Sequence, residues 1–474
     1  MDTVRYHTWS KYDSNRLFES LRDIMRINEP QFYFPIMSLF FYIHNTKNSH
    51  KRIDFKRDHY INQIHSTKQI KEYNSNCFVD AEISSNGSIQ TTQLFCKILP
   101  LLDPMHFLLN NYNLSIHRNP LLPSNYSFNT TTKINDMNNM AYIDIFFSYI
   151  ASHVTLKNKN PTFPIYYGST NGVGEYKHDI TDDIDEFQNH DGFKQLYKKQ
   201  FTVEEYYNSD SSDEDSYSDN SSYNSSEDDD DTVINFNKFP IAQLFIEKLD
   251  GTLEDIIKYN LSLQLLKSCL FQVTFALIYL QKHYKFTHND LHINNVMYIH
   301  TEKPYLYYKY NNQYFKVPTY GFLFKIIDFG RSIFTFRKKT YMNDVFSKYG
   351  EAEGQYTHPP QVSFLESDYS NMVYPSYYFD ICRLAITMID EIRYNHDDEL
   401  EDNDDYQDFL DFLKYLVTDK QGTRLDKVDD NFDLYIKISR DAKNSLPREV
   451  LLNKFFIEYR VKKKKFPKSM YYTV

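Results

Sequence analysis

The fold is decided by two stretches of this 474-residue chain, Phe286-Thr-His-Asn-Asp-Leu-His-Ile-Asn-Asn-Val-Met297 and Lys325-Ile-Ile-Asp-Phe-Gly-Arg331. Both place carboxylates or amides beside apolar residues, with Asp290 and Asn295 in the first stretch and Asp328 in the second. A carboxylate can orient a hydroxyl and accept its proton, and carboxylate or amide oxygens suit a hard cation such as Mg²⁺. The two stretches therefore predict a polar site supported by buried structure.

These stretches match H-x-D-L-x-x-x-N and D-F-G, two signatures of the protein kinase superfamily. The four fixed positions of the first signature have a chance of roughly 0.003 of arising in a chain of this length. The chain resembles this family over about residues 61–474. It also resembles the divergent serine/threonine kinases of giant DNA viruses, which share Ile98-Leu-Pro-Leu-Leu-Asp-Pro104 and the closing Lys462-Lys-Lys-Lys-Phe-Pro-Lys468.

The resemblance implies a role for each motif residue. Asp290 is expected to orient the attacking hydroxyl or accept its proton, and Asn295 and Asp328 are expected to bind Mg²⁺ beside the triphosphate of ATP. Lys97, which ends Leu94-Phe-Cys-Lys97, is expected to contact the α- and β-phosphates; the alternative is an ordinary solvated lysine at a strand end. The implied activity is transfer of the γ-phosphate to Ser or Thr hydroxyls of a protein substrate.

Three further residues are assigned to nucleotide binding on the same resemblance. Asp144 is the acid best placed to pair with Lys97, although the family uses a glutamate there, and an unpaired acid on a helix surface is the alternative. Glu247 and Leu249 lie where the family binds adenine through backbone groups of its hinge. Their side chains are not expected to take part in the chemistry.

The hydrophobic pattern predicts an α+β fold. Asn86-Gly87 between two apolar runs predicts a β-hairpin, residues 139–154 an amphipathic helix, and residues 261–283 a buried helix. Together with the resemblance, strands followed by helices predict a bilobal kinase-like fold with a small β-rich lobe and a larger helical lobe. The expected boundaries are an N-terminal extension of unknown role at residues 1–60, the β-rich lobe at 61–249 and the helical lobe at 250–474.

An acidic, serine-rich run interrupts the expected β-rich lobe. Residues 204–231 contain twelve acids, nine serines and no Lys or Arg, a composition that cannot bury enough apolar surface to fold. We therefore expect a disordered insert over about residues 175–235, either phosphorylated on its serines or serving as a solvated spacer. Without those twelve acids the formal net charge changes from −11 to +1. The charge predicts no clear nucleic-acid binding. The basic run 462–468 is interpreted as a solvated tail, and contact with nucleic acid or a phosphorylated substrate is the alternative.

Several features depart from the kinase pattern. No glycine precedes Gly87, so residues 70–79 would have to cover the phosphates without a glycine loop. The glycine-containing run 168–174 is interpreted as a turn, and residues 351–360 lack the A-P-E motif. Two alternatives follow: a catalytically weak or inactive pseudokinase scaffold, and a choline- or aminoglycoside-type small-molecule kinase. Asp328-Phe-Gly330 argues against the latter, as does Asp380, which resembles the kinase aspartate that anchors the catalytic loop.

Cysteine usage and hydropathy bound the cellular location. Cys77, Cys96, Cys269 and Cys382 form no C-x-x-C pair, which favours a reducing compartment over a disulfide scaffold or zinc ribbon. The N-terminus has no apolar signal segment, and the densest apolar stretch, residues 36–43, is too short to span a bilayer. We expect a soluble, intracellular protein with no membrane partner, in the host cytoplasm or the virion if its origin is viral.

Overall fold

A computed structural model describes residues 4–5, 11–32, 53–54, 58–112, 132–206, 231–346, 352, 354–356, 375–400, 403–428 and 432–474. These residues form a mixed α+β structure, as predicted, with an antiparallel sheet and several helices. The chain divides into two compact units. Unit 1 comprises Met1–Tyr149, Ile165–Ser216 and Asn224–Lys248, and unit 2 comprises Ile150–Pro164, Tyr217–Tyr223 and Leu249–Val474.

Unit 1 is built on an antiparallel sheet of seven strands. Its strands are β1 (Val4–Arg5), β2 (Asn28–Phe32), β3 (Ile53–Asp54), β4 (His59–Gln69), β5 (Cys77–Ser85), β6 (Ser88–Pro100), β7 (Tyr166–Asp179), β8 (Phe201–Tyr206) and β9 (Asp231–Glu247). Six strands lie in the order β2-β7-β9-β6-β5-β4, β8 pairs with β9, and β1 and β3 form a separate parallel pair. The helices that begin in unit 1 are α1 (Lys11–Asp23), α2 (Pro104–Leu108), α3 (Thr132–Asn135), α4 (Met140–Leu156), α5 (Ile184–Phe187) and α6 (Asp191–Leu196).

The hairpin of β5 and β6 follows from its two turn residues. Asn86 and Gly87 have φ values of 51° and 84°, so both lie in the left-handed region that a two-residue type I′ turn requires. This turn matches the twist of the flanking strands and pairs Ser85 with Ser88. The predicted hairpin is confirmed, and Lys97 lies three residues before its end.

Residues 11–32 belong to unit 1 rather than to a separate extension. Leu17 and Leu21 of α1 are buried in the same core as Ile27, and β2 pairs with β7. Ser20 on α1 accepts a hydrogen bond of 3.1 Å from the N–H of Ile64 in β4. Apolar residues of α1 at a spacing of four therefore contribute to the fold of the sheet.

The prediction of a disordered insert is wrong for residues 175–206 and 231–235. They form the end of β7, helices α5 and α6, strand β8 and the start of β9. Tyr176, Phe193 and Phe201 are buried with Phe236 in the core of unit 1. These aromatic side chains supply the buried apolar surface that the segment needs to fold. The composition averaged over the whole segment is acidic and gave no indication of this. Residues 207–230, which hold most of the acids and all nine serines, lie outside the described residues.

The prediction of a turn at residues 168–174 is also wrong, because this run lies inside β7. A Cβ atom on Gly172 would lie 2.2 Å from the side chain of Ile27, and one on Gly174 would lie 2.9 Å from that of Ile241. The two glycines therefore allow the side chains of Ile27 and Ile241 to pack closely against β7. They do not reverse the direction of the chain.

Among the described residues, unit 2 contains six of the twelve helices, together with small sheets. Its helices are α7 (Leu253–Tyr259), α8 (Leu263–Tyr284), α9 (Phe379–Leu400), α10 (Asp404–Leu416), α11 (Phe432–Asp441) and α12 (Pro447–Val450), with 3₁₀ turns at Ile293–Asn295, Asp344–Phe346, Leu425–Lys427, Lys454–Tyr459 and Lys463–Lys465. Its strands are β10 (Gly251–Thr252), β11 (Val296–His300), β12 (Tyr305–Tyr310), β13 (Gln313–Pro318), β14 (Phe322–Ile326), β15 (Phe334–Phe336), β16 (Lys339–Tyr341) and β17 (Tyr472–Thr473).

Helix α8 is the core helix of unit 2, as the hydrophobic pattern predicted. The side chain of Phe271 packs against Tyr308, Phe315 and Phe456 at ring distances of 5.2–5.3 Å. Within the described part of the chain, α8 is the one helix long and apolar enough to cross a membrane, and 83% of its most apolar window is buried inside the protein. This burial is consistent with a soluble protein.

Candidate functional site

Unit 1 contains the predicted pair of Lys97 and Asp144. The Nζ atom of Lys97 on β6 lies 3.0 Å from Oδ2 of Asp144 on α4, and the hydroxyl of Ser148 donates to Oδ1 at 3.3 Å. The Asp144 side chain is 1% exposed and that of Lys97 17%. A carboxylate so deeply buried needs a partner of opposite charge, so the pair fixes the position of the ammonium group.

The loop of residues 70–76 joins β4 and β5 and keeps its shape without glycine. The side chain of Gln69 donates to the carbonyl of Asn74 at 3.3 Å, and the Asn74 side chain accepts from the N–H of Asn76 at 2.7 Å. Asn76 in turn accepts from the N–H of Ile98 at 2.8 Å. None of the residues 70–76 has a positive φ. Side-chain hydrogen bonds therefore organise the segment that was predicted to cover the phosphates.

A second group of residues braces the same loop from β7 and β8. The backbone N–H of Lys177 donates to the Ser75 hydroxyl at 2.7 Å, and its Nζ donates to the carbonyl of Glu72 and, at 2.8 Å, to the hydroxyl of Tyr206. That hydroxyl donates to Glu204 at 2.7 Å, which holds the pKa of Glu204 below its ordinary value. Lys177, which lies within the expected insert, thus contacts the loop directly.

The predicted hinge residues are placed at the end of β9 and just after it. The backbone N–H of Glu247 donates to the Ile165 carbonyl at 2.8 Å, and its carboxylate accepts from the Ile165 N–H at 3.1 Å. The N–H of Glu247 is therefore committed to Ile165 and not to a ligand. Leu249 opens the third segment of unit 2, with a side chain only 4% exposed.

The loop that carries Asp290 is bound to helix α9, as predicted. Asp380, in the first turn of α9, is fully buried and its Oδ1 accepts from the N–H groups of His288 and Asn289, each at 3.0 Å. Burial raises the pKa of Asp380, while the nearby His288 and the two N–H donors act in the opposite direction. The same carboxylate thus holds two consecutive backbone groups directly before Asp290.

Side chains of this loop also join the two motif stretches. The His288 ring Nε2 donates to the Ile327 carbonyl at 2.8 Å, since a carbonyl can only accept. Asn289 donates to the Arg331 carbonyl at 2.9 Å and accepts from the hydroxyl of Tyr356. Asn289 therefore has a structural role, because its side chain joins the loop to Arg331 and Tyr356.

Asp290 lies among charges that keep it ionised. Burial alone would raise its pKa, but Arg331, His292 and His288 together hold the pKa below the ordinary value. Burial also lowers the pKa of His292, whereas the adjacent Asp290 acts in the opposite direction. Arg331 is the main cation facing the Asp290 carboxylate. A carboxylate in this state can accept a hydrogen bond from a hydroxyl group.

Sequence reasoning missed Tyr435 on α11, whose hydroxyl donates to Oδ1 of Asp290 at 2.9 Å. Burial and the adjacent Asp290 raise the pKa of Tyr435 to about 12, so the phenol keeps its proton. Its ring centre lies 5.1 Å from the Arg383 guanidinium, 6.0 Å from that of Arg331 and 5.6 Å from the Phe379 ring. No local motif links residues 145 positions apart, and the tyrosine-rich composition gives no signal for this one.

Asn295 and Asp328 are brought together by the backbone. The N–H of Ile327 donates to the Asn295 carbonyl at 3.1 Å, and the side-chain amide of Asn295 donates to the Asp290 carbonyl at 2.8 Å. Asp328 has a φ of 60°, an uncommon value for a residue with a side chain. The described residues include no cluster of three or more His, Cys, Asp and Glu side chains. A carboxylate and an amide oxygen are ligand types that Mg²⁺ takes in proteins, and in phosphoryl-transfer sites it binds one or two protein carboxylates together with phosphates.

Comparisons with known proteins do not extend this description. The chain matches no model of a known protein family, and it matches no curated protein.

Proposed function

We propose that this protein is a divergent protein kinase that transfers the γ-phosphate of Mg-ATP to Ser or Thr hydroxyls of a protein substrate. One observation carries the proposal: the buried Asp380 carboxylate binds the N–H groups of His288 and Asn289, and thereby fixes the backbone that presents Asp290. Burial of a carboxylate costs free energy, so the position of Asp380 on α9 needs a reason beyond packing. Presentation of a reacting carboxylate is such a reason.

Unit 1 supports the same proposal. Its antiparallel sheet holds Lys97 against the buried Asp144 at 3.0 Å, which leaves an oriented ammonium group suited to phosphate oxygens. We propose that units 1 and 2 are the β-rich and helical lobes of a bilobal kinase-like fold. Residues 70–76 would take the place of the glycine loop, and the carbonyl of Glu247 with the backbone of Leu249 would take that of the hinge.

The chemistry assigned to each residue follows from its surroundings. Asp290 stays ionised near neutral pH, because Arg331 counters the cost of its burial, and it would orient the acceptor hydroxyl and accept its proton. Asn295 and Asp328 would hold Mg²⁺, which when bound supplies positive charge to the phosphates. Lys97 would fix the α- and β-phosphates.

The test is transfer of labelled γ-phosphate from Mg-ATP to generic protein substrates and, separately, to choline and aminoglycosides. The wild-type chain is compared with Asp290→Asn and with Asp408→Asn, a matched change of an exposed acid on α10 of the same unit. We expect transfer to protein hydroxyls, a loss of about 10²- to 10⁴-fold in Asp290→Asn, and no loss in the control.

Three results would contradict the proposal. Equal transfer by wild type and Asp290→Asn would exclude Asp290 as the reacting carboxylate. Transfer only to the small alcohols would change the substrate class to that of a small-molecule kinase. Absence of transfer, combined with no thermal stabilisation by millimolar Mg-ATP, would exclude an enzyme of this type.

A second candidate, a pseudokinase scaffold, is favoured by the contact between Tyr435 and Asp290. The phenol donates to the carboxylate oxygen that an acceptor hydroxyl would need. Stabilisation by Mg-ATP without transfer, in both wild type and Tyr435→Phe, would select this candidate. Transfer that emerges in Tyr435→Phe would instead identify an enzyme restrained by its own side chain.

A further inference from the structure

Two cysteines face each other across strands β5 and β6. Cys77 and Cys96 are register partners in this antiparallel pair. Directly opposite residues in such a ladder have Cα atoms about 4.5–5.5 Å apart, which lies within the range of about 4.4–6.8 Å found for disulfides. Both are free thiols in the core of unit 1. The fold therefore brings together two cysteines that lie nineteen positions apart in the sequence.

The two thiols differ in exposure and in proton affinity. Cys77 is 9% exposed and Cys96 is fully buried. A hydrogen bond from the Cys96 thiol lowers the pKa of Cys77, whereas burial and the adjacent Cys77 raise that of Cys96. The Cys77 sulfur is thus the more accessible of the two. In unit 2, Cys269 and Cys382 are also buried, and burial raises the pKa of each.

We propose that Cys77 and Cys96 form a reversible disulfide on exposure to a hydroperoxide. The Cys77 thiolate attacks one peroxide oxygen, the O–O bond breaks, and the departing oxygen takes up a proton and leaves as water or an alcohol. The product is a sulfenic acid on Cys77. The Cys96 sulfur then attacks the Cys77 sulfur, the S–O bond breaks, and water leaves with the Cys96 proton. Two thiols lose two hydrogens, and one peroxide is reduced.

The position of the pair gives the disulfide a defined neighbourhood. Cys77 directly follows the loop of residues 70–76, and Cys96 directly precedes Lys97. Side chains alternate along a strand, so Cys96 and Lys97 point to opposite faces of the sheet. The disulfide would link the two strands at the end where the loop is attached. It would do so without removing the ion pair of Lys97 and Asp144. The inference does not depend on the proposed kinase activity.

The experiment treats the folded full-length chain with hydrogen peroxide, blocks remaining thiols with an alkylating agent in denaturant, and maps the unreduced digest by mass spectrometry. We expect one linked pair of peptides, containing Cys77 and Cys96, with the mass of two hydrogens lost. Dithiothreitol should restore both thiols. Cys269 and Cys382 should remain alkylated in every sample, because they are buried free thiols on two different helices, α8 and α9.

Single variants separate the two steps. In Cys96→Ser we expect Cys77 to accumulate as a sulfenic acid that a dimedone probe captures, and in Cys77→Ser we expect Cys96 to stay reduced. Cys269→Ser is the matched control and should form the same linked peptides as wild type. Oxidation of wild-type Cys77 to sulfinic acid without a linked peptide would overturn the proposal. Cross-links that involve Cys269 or Cys382, or that join two chains, would do the same.

Discussion

Replacing Asp380 by alanine tests how unit 2 holds the loop that carries Asp290. The Asp380 Oδ1 atom accepts from the N–H groups of His288 and Asn289, each at 3.0 Å. Alanine removes this acceptor and leaves two buried donors without it. Each buried donor that loses its acceptor costs about 1–3 kcal/mol, so we expect the free energy of unfolding of unit 2 to fall by about 2–6 kcal/mol.

The assay combines urea unfolding, followed by far-UV circular dichroism, with hydrogen exchange at the amides of residues 288 and 289. A loss of 2 kcal/mol corresponds to roughly 30-fold faster exchange, since 1.4 kcal/mol is about tenfold. Asp380→Asn keeps a carbonyl oxygen for both donors. Because this oxygen can still accept from the two donors, the loss of unfolding free energy in Asp380→Asn should be clearly smaller than in Asp380→Ala. Asp408→Ala, an exposed position on α10, should change stability by less than about 0.5 kcal/mol.

The difference in unfolding free energy between wild type and the Asp380 variants should change with pH in a definite direction. Burial raises the folded-state pKa of Asp380 above that of the unfolded chain, so this group stabilises the fold most when it is protonated. That contribution is fully present below the ordinary aspartate pKa and is lost as the pH rises through the folded-state pKa. The deficit of Asp380→Asn relative to wild type should therefore shrink from acidic to neutral pH. Unchanged exchange at the two amides in Asp380→Ala, at any pH, would refute the anchoring role.

Three further changes test other parts of the structure. Tyr435→Phe keeps the ring and removes the hydroxyl that competes with an acceptor for the Asp290 carboxylate. We therefore expect the KM for the acceptor to fall about tenfold. Steady-state kinetics that show a lower kcat at unchanged KM would contradict this expectation. Lys177→Met should speed hydrogen exchange in residues 70–76, whereas Lys199→Met, an exposed control, should not. Gly87→Val should cost about 1–2 kcal/mol in urea unfolding, because its φ of 84° suits glycine, and Gly87→Asn should cost less.

Local sequence rules were sufficient where neighbours in sequence determine the structure. The Asn86-Gly87 turn fixed the β5–β6 register, and apolar spacing located α4 and α8 within a few residues. The ion pair of Lys97 and Asp144 was predicted from the resemblance alone, and the two side chains do meet. The first two features depend on turn chemistry and helical periodicity, and the ion pair was an expectation from the resemblance, with Asp144 as the best-placed acid on its helix.

The features that were mispredicted or missed depend on long-range contacts or were hidden by a composition averaged over a long segment. Residues 175–206 were predicted to be disordered because the acids that follow dominate the average, although Phe193 and Phe201 bury against the core. The contact of Tyr435 with Asp290 depends on how α11 packs, which no local pattern encodes. Such contacts require the tertiary structure.

Helix α8 also has a consequence for synthesis of the chain. Its residue Phe271 packs against Phe456 and Tyr459, which are translated much later than Tyr284, the last residue of α8. A chain is synthesised at about 5–20 residues per second, so roughly 10–35 s pass between the synthesis of α8, which is as apolar as a membrane span, and that of these partners. During that interval the nascent chain offers a binding site to chaperones and to the membrane-insertion machinery. We expect the yield of folded protein to depend on chaperone supply more than the stability of the finished protein suggests.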